Sequence, residues 1–286
     1  MNKPTRPVLR YHGGKFRLAP WILQFAPQHK VYVEPYGGAA SVLMLKDRAH
    51  AEVYNDMDDE LCNLFAVMRD QGDELRDKLT MTPYSRTEFL QSYVRHADPV
   101  EQARRTIVRS FMGFGGAAAS GKKTGFRSNS SRSHTTPAHD WVNYPSCMDA
   151  MIERLRGVTL ENQPALDTIA SHDAATTLIY ADPPYPHSTR GRMATQPKYR
   201  DYCGYRYEMD DADHVELACA LHQVRGMVIV SGYACPLYDR ELFAGWERHE
   251  RRALADGARH RTEVVWLNQA CSEALHQYGL FEGIAA

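Results

Sequence analysis

The chain has almost no net charge. Its 34 Lys and Arg offset 35 Asp and Glu, leaving a formal charge of −1 over 286 residues. Global charge therefore advertises no polyanionic partner, and any such partner must be held by a local patch. The six cysteines, Cys62, Cys147, Cys203, Cys219, Cys235 and Cys271, include no C-x-x-C pair. That removes the common zinc and dithiol motifs, and scattered cysteines suit a reducing compartment. No apolar run approaches the roughly 20 residues of a membrane span. Met1 to Arg10 is polar and lacks the apolar stretch of a secretory signal. A cytoplasmic chain with no membrane partner is therefore expected. Thirteen histidines show no H-E-x-x-H or similar spacing, so they read as surface or structural residues and no metal is expected. There is no internal repeat.

What is present is ordinary for a globular chain. The hydrophobic fraction is 43% and the charged fraction 24%, enough for a full core. The length fits one large domain, or one domain with an inserted lobe. Val31-Tyr32-Val33-Glu34, Thr177-Leu178-Ile179-Tyr180-Ala181 and Gly226-Met227-Val228-Ile229-Val230 are short apolar runs bounded by turn formers, the pattern of buried strands. A fourth is Glu263-Val264-Val265-Trp266-Leu267. Between them, Leu61, Leu64, Phe65 and Met68 recur at helical spacing within 58–68, as do Val215, Leu217, Ala218, Leu221 and Val224 within 214–224. Strands alternating with helices predict an α/β sheet of mostly parallel strands. Ligands in such sheets bind beyond the carboxyl ends of the strands.

The middle of the chain differs. Residues 57–156 hold helical stretches, then an irregular segment from Gly113 to Tyr144 rich in Gly, Ser, Thr and Asn. Loops of that length inside a compact domain are often functional. The reading is a lobe at 57–156 inserted into an α/β domain made of 1–56 and 157–286.

Three motifs follow strands. Glu34-Pro35-Tyr36-Gly37-Gly38-Ala39-Ala40-Ser41-Val42 is a glycine turn that lets backbone approach a ligand. A following helix would point its amides at a ligand carboxylate. Val53-Tyr54-Asn55-Asp56-Met57 ends a second strand in an acid, about 20 residues on, suited to ribose hydroxyls or to capping a helix. Both features also occur in nucleotide-dependent dehydrogenases. The third motif, Asp182-Pro183-Pro184-Tyr185, chooses between them. Two prolines cannot continue a ladder or start an ordinary helix, so they fix a rigid turn presenting a carboxylate, carbonyls and a ring. An exocyclic amine is a poor nucleophile, its lone pair being delocalised. A carboxylate and a carbonyl accepting its two N–H bonds would stabilise positive charge during methyl transfer. Tyr185 would stack on a base removed from the duplex, and the prolines would preorganise the set.

With these motifs the chain resembles the Dam-like DNA adenine-N6 methyltransferases of the D12 class. Tyr11-His12-Gly13-Gly14-Lys15 is similar to that family's amino-terminal lysine motif, and the glycine, acidic and Asp-Pro-Pro-Tyr motifs match in kind and in order. The resemblance implies an α/β, Rossmann-like methyltransferase sheet with an inserted, mainly helical target-recognition lobe. It implies S-adenosyl-L-methionine as cofactor and direct methyl transfer to N6 of a flipped adenine in double-stranded DNA. Tyr11 would lie against the cofactor, with Lys15 reaching the base or the cofactor. Tyr36, Gly37, Gly38, Ala39 and Ser41 would line its methionine end, Asp56 would bind the ribose, and Met57 would lie beside its adenine. Asp182 would also touch the methionine amino group. Asn162 or Gln163 falls near the cofactor adenine, although Gln163-Pro164 departs from the acidic pattern common there. Ser231-Gly232-Tyr233 would wall the base pocket. Asp182, Pro183, Pro184 and Tyr185 are the expected catalytic residues.

From Gln102 to His139 there is no Asp or Glu, while Arg104, Arg105, Arg109, Lys122, Lys123, Arg127 and Arg132 fall within that stretch. A local basic patch of this kind suits phosphate. Arg109, Lys122, Lys123, Arg127, Asn129 and Arg132 are the expected DNA contacts there. Arg190, Arg192 and Lys198, in a loop running on to Arg206, are a second set. RNA or cytosine N4 as target, and an inactive nucleic-acid-binding relative, remain open alternatives. A monomer or a homodimer would serve a palindromic site.

Overall fold

The computed structural model describes residues 3–130, 135–189, 205–255 and 259–282. Five parallel strands form the heart of one sheet: β1 (Val31–Glu34), β2 (Ala51–Asn55), β3 (Val158–Glu161), β4 (Thr177–Ala181) and β5 (Met227–Tyr233). The hairpin of β6 (Glu247–Ala255) and β7 (Arg259–Leu267) adds two strands, with β7 antiparallel to β5. The order across the sheet is β3-β2-β1-β4-β5-β7-β6. From β1 the chain winds outward through β2 to β3, then returns to β4 and winds the other way. The reversal falls between β1 and β4, and a crevice opens at such a point beyond the carboxyl ends of the strands.

Among the described residues the α-helices are α1 (Ala19–Ile22), α2 (Ser41–Leu45), α3 (Asp59–Asp70), α4 (Gly72–Thr80), α5 (Arg86–Gln91), α6 (Pro99–Met112), α7 (Pro137–Val142), α8 (Met148–Leu155), α9 (Ala165–His172), α10 (Asp211–Gln223) and α11 (Gln269–Glu282). Their starts are written in the sequence. Asp58, Ser85, Asp98, Thr136 and Asp210 each accept a backbone N–H of the first turn, which satisfies a donor the helix leaves orphaned. Pro99 and Pro137 occupy first helical positions, where a missing N–H costs nothing.

Alternation along the strands sorts the core into two layers. Val33, Val53, Ile179, Val228 and Val230 face α9 and α10. Tyr32, Tyr54, Leu178 and Tyr180 face the other way and join Leu61, Leu64, Phe65, Ile107, Met151 and Leu155 in one continuous cluster. The helices between β2 and β3 therefore share their core with one face of the sheet. A buried ionic cluster reinforces the join: Arg154 of α8 donates to both oxygens of Glu52 in β2, at 2.6 and 2.8 Å, and Lys46 donates at 2.6 Å. Burial opposes the Glu52 charge, but these bonds outweigh it and hold its carboxyl below the usual range.

Three elements differ from the sequence reading. β3 and β6 are strands that pattern alone did not mark. β3 has only four residues, and β6 (ERHERRALA) gains its order by pairing with β7. The segment from Gly113 to Tyr144 is also less irregular than its composition predicts. It holds a 3₁₀ turn at Ala117–Ser120, a bridge between Gly113 and Phe126, and α7. The Thr136-Pro137 pair is a start signal that composition hides.

Candidate active site

A cavity of about 330 Å³ lies over the carboxyl ends of β1, β2 and β4. Tyr11, Lys15, Tyr36, Gly37, Gly38, Ala39, Ser41, Asp56, Met57 and Asp182 all line it, together with Glu34 and Pro184. The glycine turn is packed to its limit. A Cβ on Gly37 would meet the Tyr54 ring at 2.1 Å, so no other residue fits without moving the ring. Ala40 follows with φ of 52°, a left-handed conformation that costs a non-glycine residue about 1–2 kcal/mol. The Ser41 Oγ is buried in this wall and has no hydrogen-bond partner among the described residues.

Asp56 is not the cap of α3; Asp58 holds that place. Asp56 instead accepts Gly38 N–H and Asp58 N–H at 2.8 Å, one on each oxygen. Burial pushes its carboxyl up to about 6, against the pull of those two bonds. Asn55 ties β2 to the next turn, donating to the Pro35 and Gln163 carbonyls. Asn162 donates to the Asp56 carbonyl at 2.7 Å and so braces the acidic turn. Glu34 is buried behind the glycine turn. Its Oε1 accepts from Tyr32 Oη at 2.7 Å and Leu43 N–H at 2.6 Å, and burial pushes its carboxyl up to about 7.

The Asp-Pro-Pro-Tyr turn leaves β4 beside the amino-terminal lysine motif. Lys15 Nζ lies 2.9 Å from Asp182 Oδ2 and donates to the Gly13 carbonyl at 2.7 Å. Burial opposes the Lys15 charge, but Asp182 and Glu263 hold it above the ordinary range. Asp182 Oδ1 accepts from Ser231 Oγ at 2.7 Å, and Ser231 in turn meets Tyr180 Oη at 3.0 Å. Ser231-Gly232-Tyr233 thus fixes the carboxylate from the next strand. The Tyr185 ring is 5% exposed. Its hydroxyl donates to Glu263 Oε2 at 2.9 Å, its face lies 4.7 Å from Lys15 Nζ, and Tyr233 meets it edge-on at 4.6 Å. Tyr185 therefore sits behind the cavity wall, and Pro184 is the turn residue that lines it.

The expected DNA contacts fall into three groups. Arg109 and Arg127 face inward. Arg109 pairs with Glu60 between α3 and α6 and donates to the Ser92 carbonyl at 3.0 Å. Arg127 is 9% exposed and donates to the Phe111 carbonyl at 2.9 Å. Arg104 and Arg105 are likewise engaged by Glu88 and Glu101. A stretch without acids in sequence is thus neutralised in space by acids from neighbouring helices, and Arg109 and Arg127 are corrected to interior ties. Lys123 and Asn129 are exposed and Lys122 half-buried. Arg132, Arg190, Arg192 and Lys198 lie outside the described residues. Arg206, at the end of the second loop, pairs with Asp58 and Glu60 beside the cavity instead of pointing away from it.

Sequence reasoning missed Glu263, whose signal was a lone carboxylate inside an apolar strand. It missed Tyr205 to Met209, which line the cavity with Tyr205 against His12 at 5.2 Å. It also missed Phe114, 74% exposed in a loop whose Gly116 lies against the Tyr11–His12 backbone.

The model of the D12 class N6 adenine-specific DNA methyltransferase family matches residues 11–247. A DNA adenine methylase of Serratia marcescens is 24% identical, the match covering 86% of this chain and 88% of the relative. The DNA adenine methylase of Vibrio cholerae serotype O1 is 22% identical over 85% and 86%. The Type II methyltransferase M1.LlaDCHI of Lactococcus lactis subsp. cremoris is 24% identical over 92% and 95%.

Proposed function

The chain belongs to the D12 class of N6 adenine-specific DNA methyltransferases, and on that premise we propose that the cavity binds S-adenosyl-L-methionine and delivers its methyl group to an adenine flipped out of duplex DNA. The observation that carries the reading is the Lys15–Asp182 pair in the cavity wall, 2.9 Å apart. Two further features suit the cofactor. Asp56 is an acceptor at the mouth of β2, placed for ribose hydroxyls. Ser41 Oγ, a buried hydroxyl with no partner among the described residues, would bond the methionine end. Tyr11, Tyr36 and Met57 would cover the apolar parts. A volume of about 330 Å³ falls at the lower end of the range for small-molecule sites.

When bound, the cofactor supplies an activated methyl on a sulfonium. The protein's task is then to hold an amine in line with it. A carboxylate has roughly four acceptor positions. Ser231 and Lys15 hold Asp182 from both oxygens and leave positions open for the target N–H. The Pro183 carbonyl would take the second N–H. Together they would stabilise positive charge on N6 as the bond forms. Lys15 holds Asp182 in place for that work. Tyr185 would stack on the base once the ring face is exposed.

The helices between β2 and β3 would carry target recognition, with Lys122, Lys123 and Asn129 meeting the DNA and Phe114 beside the base. The test is long-read sequencing of DNA from cells expressing the protein or its Asp182→Ala variant, with calorimetric titration of S-adenosyl-L-methionine. N6-methyladenine in a defined context, absent with Asp182→Ala, is the expected result. Methyl groups on RNA or on cytosine N4 instead, or no cofactor binding, would overturn the reading.

A further inference from the structure

Arg104, Arg109, Arg154 and Arg206 are each held by one or more carboxylates. Several other described cations have no carboxylate within ion-pair distance among the described residues, and Arg251, Arg252 and Arg261 are among them, although the chain carries about as many acids as bases. All three sit on the β6–β7 hairpin.

The sheet register links that hairpin to the catalytic turn. Tyr233 pairs with Glu263 across β5 and β7, and Glu263 pairs with Arg251 across β7 and β6. Alternation puts Ser231, Tyr233, Arg261, Glu263 and Arg251 on one face. Ser231 holds Asp182, Glu263 holds Tyr185, and the Arg261 guanidinium lies 5.6 Å from the Tyr233 ring centre. A row of side chains thus runs from the catalytic carboxylate to the edge of the sheet. From β4 to β6 is three strand spacings, about 14 Å at 4.7–4.9 Å each, comparable with the width of a major groove at about 12 Å.

We propose that the β6–β7 hairpin is a phosphate-binding edge that grips duplex DNA beside the target-base pocket, with Arg251 and Arg261, on the face shared with Tyr233 and Glu263, each neutralising backbone phosphate; this rests on the functional reading above. Charge on an edge strand has a simpler use, the prevention of edge-to-edge pairing. That use does not account for Arg261, which lies on the inner strand with its guanidinium over the Tyr233 ring. Nor does it call for arginine, whose planar fork matches phosphate oxygens in pairs. The hairpin also supplies what the middle segment lacks, since four of that segment's arginines are turned inward. DNA would then be held from two sides of the crevice.

The experiment compares the parent protein with Arg251→Ala/Arg261→Ala and Arg251→Lys/Arg261→Lys double variants. Lys30→Ala, exposed just before β1 at the opposite end of the sheet, is the control. Affinity for a duplex oligonucleotide is measured at several salt concentrations, with S-adenosyl-L-methionine affinity measured alongside. The alanine pair should keep cofactor affinity and weaken DNA binding on all sequences alike. It should also lower the magnitude of the slope of log affinity against log salt by about 1.8, at roughly 0.9 per lost contact. The lysine pair should keep the slope, and Lys30→Ala should match the parent. An alanine pair with the parent's slope, or a lysine pair as impaired as the alanine pair, overturns the hairpin role while the parent still methylates DNA. A parent that neither binds nor methylates duplex DNA overturns the functional reading as well.

Discussion

Replacing Glu263 with Leu removes an acceptor of the Tyr185 hydroxyl without touching the cavity lining. Glu263 is 7% exposed and Tyr185 5%, so no water replaces the lost acceptor. The bond is 2.9 Å to a carboxylate oxygen, and hydrogen bonds to charged groups are worth about 1.5–3 kcal/mol. If the ring must be held in one pose to receive the base, that energy is lost from the transition state. At 1.36 kcal/mol per tenfold, kcat/KM for DNA should fall by about one to two orders of magnitude. Lys15 keeps Asp182, so cofactor affinity should stay within a factor of about three of the parent's by this argument. Glu263→Gln, which keeps an acceptor oxygen, should recover much of the loss. Burial and the nearby Asp182 charge push the Glu263 carboxyl up. Parent activity should therefore fall as pH drops through that raised value, and the Gln variant should lack that component. Steady-state kinetics on a duplex substrate, run as a double-mutant cycle with Tyr185→Phe, makes the test. Parent-like kcat/KM in Glu263→Leu, or strictly additive losses in the cycle, would refute the idea that Glu263 acts through Tyr185.

Three further outcomes follow from the buried charges. Asp56→Ala should weaken S-adenosyl-L-methionine binding by about 1.5–3 kcal/mol in calorimetry, and parent affinity should decline as pH falls through about 6, where the carboxylate takes up its proton. Glu34 is raised in the folded state to about 7 from an ordinary value near 4.5, so between those values the folded chain binds more protons than the unfolded one, and this group's contribution is lost as pH rises; Glu34→Gln should raise the melting temperature relative to the parent at pH 8 and have little effect at pH 4. Arg109→Leu should destabilise by about 3–5 kcal/mol in denaturant titration, because Glu60 loses a buried partner, and the salt dependence of DNA binding by the folded fraction should stay that of the parent.

The strands that build the crevice were legible because burial on both faces writes a continuous apolar run, as at Thr177 to Ala181. The helix starts were legible through their caps. The glycine, acidic and Asp-Pro-Pro-Tyr parts of the cavity lining were legible because each directly follows a strand and so stays local in sequence, whereas Tyr11 to Lys15 follows none and was reached only through the family resemblance. What pattern could not give was pairing at a distance. β6 carries few strand-forming residues and is ordered by β7. Glu60, Glu88 and Glu101 lie outside or at the margin of the acid-free stretch, yet they neutralise its arginines across helix interfaces. Glu263 reads as a stray charge until the sheet brings it under Tyr185. Charge counted along a chain says which ions are present; only the fold says which are already spent.

The single core joining the helices between β2 and β3 to the sheet bears on how such enzymes can be recombined. A reader segment with its own core could be exchanged between relatives as a module, carrying its sequence preference with it. Here the segment's inner surface is made of the same side chains that floor the catalytic sheet, and Arg154 is bolted to β2 through Glu52. A chimera cut at the chain crossings near 57 and 156 would import helices whose knobs do not match the host's Tyr32, Tyr54 and Tyr180. If the outward-facing loop around Phe114 and Lys123 reads the target as proposed, new preferences are better sought by changing that loop, leaving the helices in place, than by transplanting the whole segment.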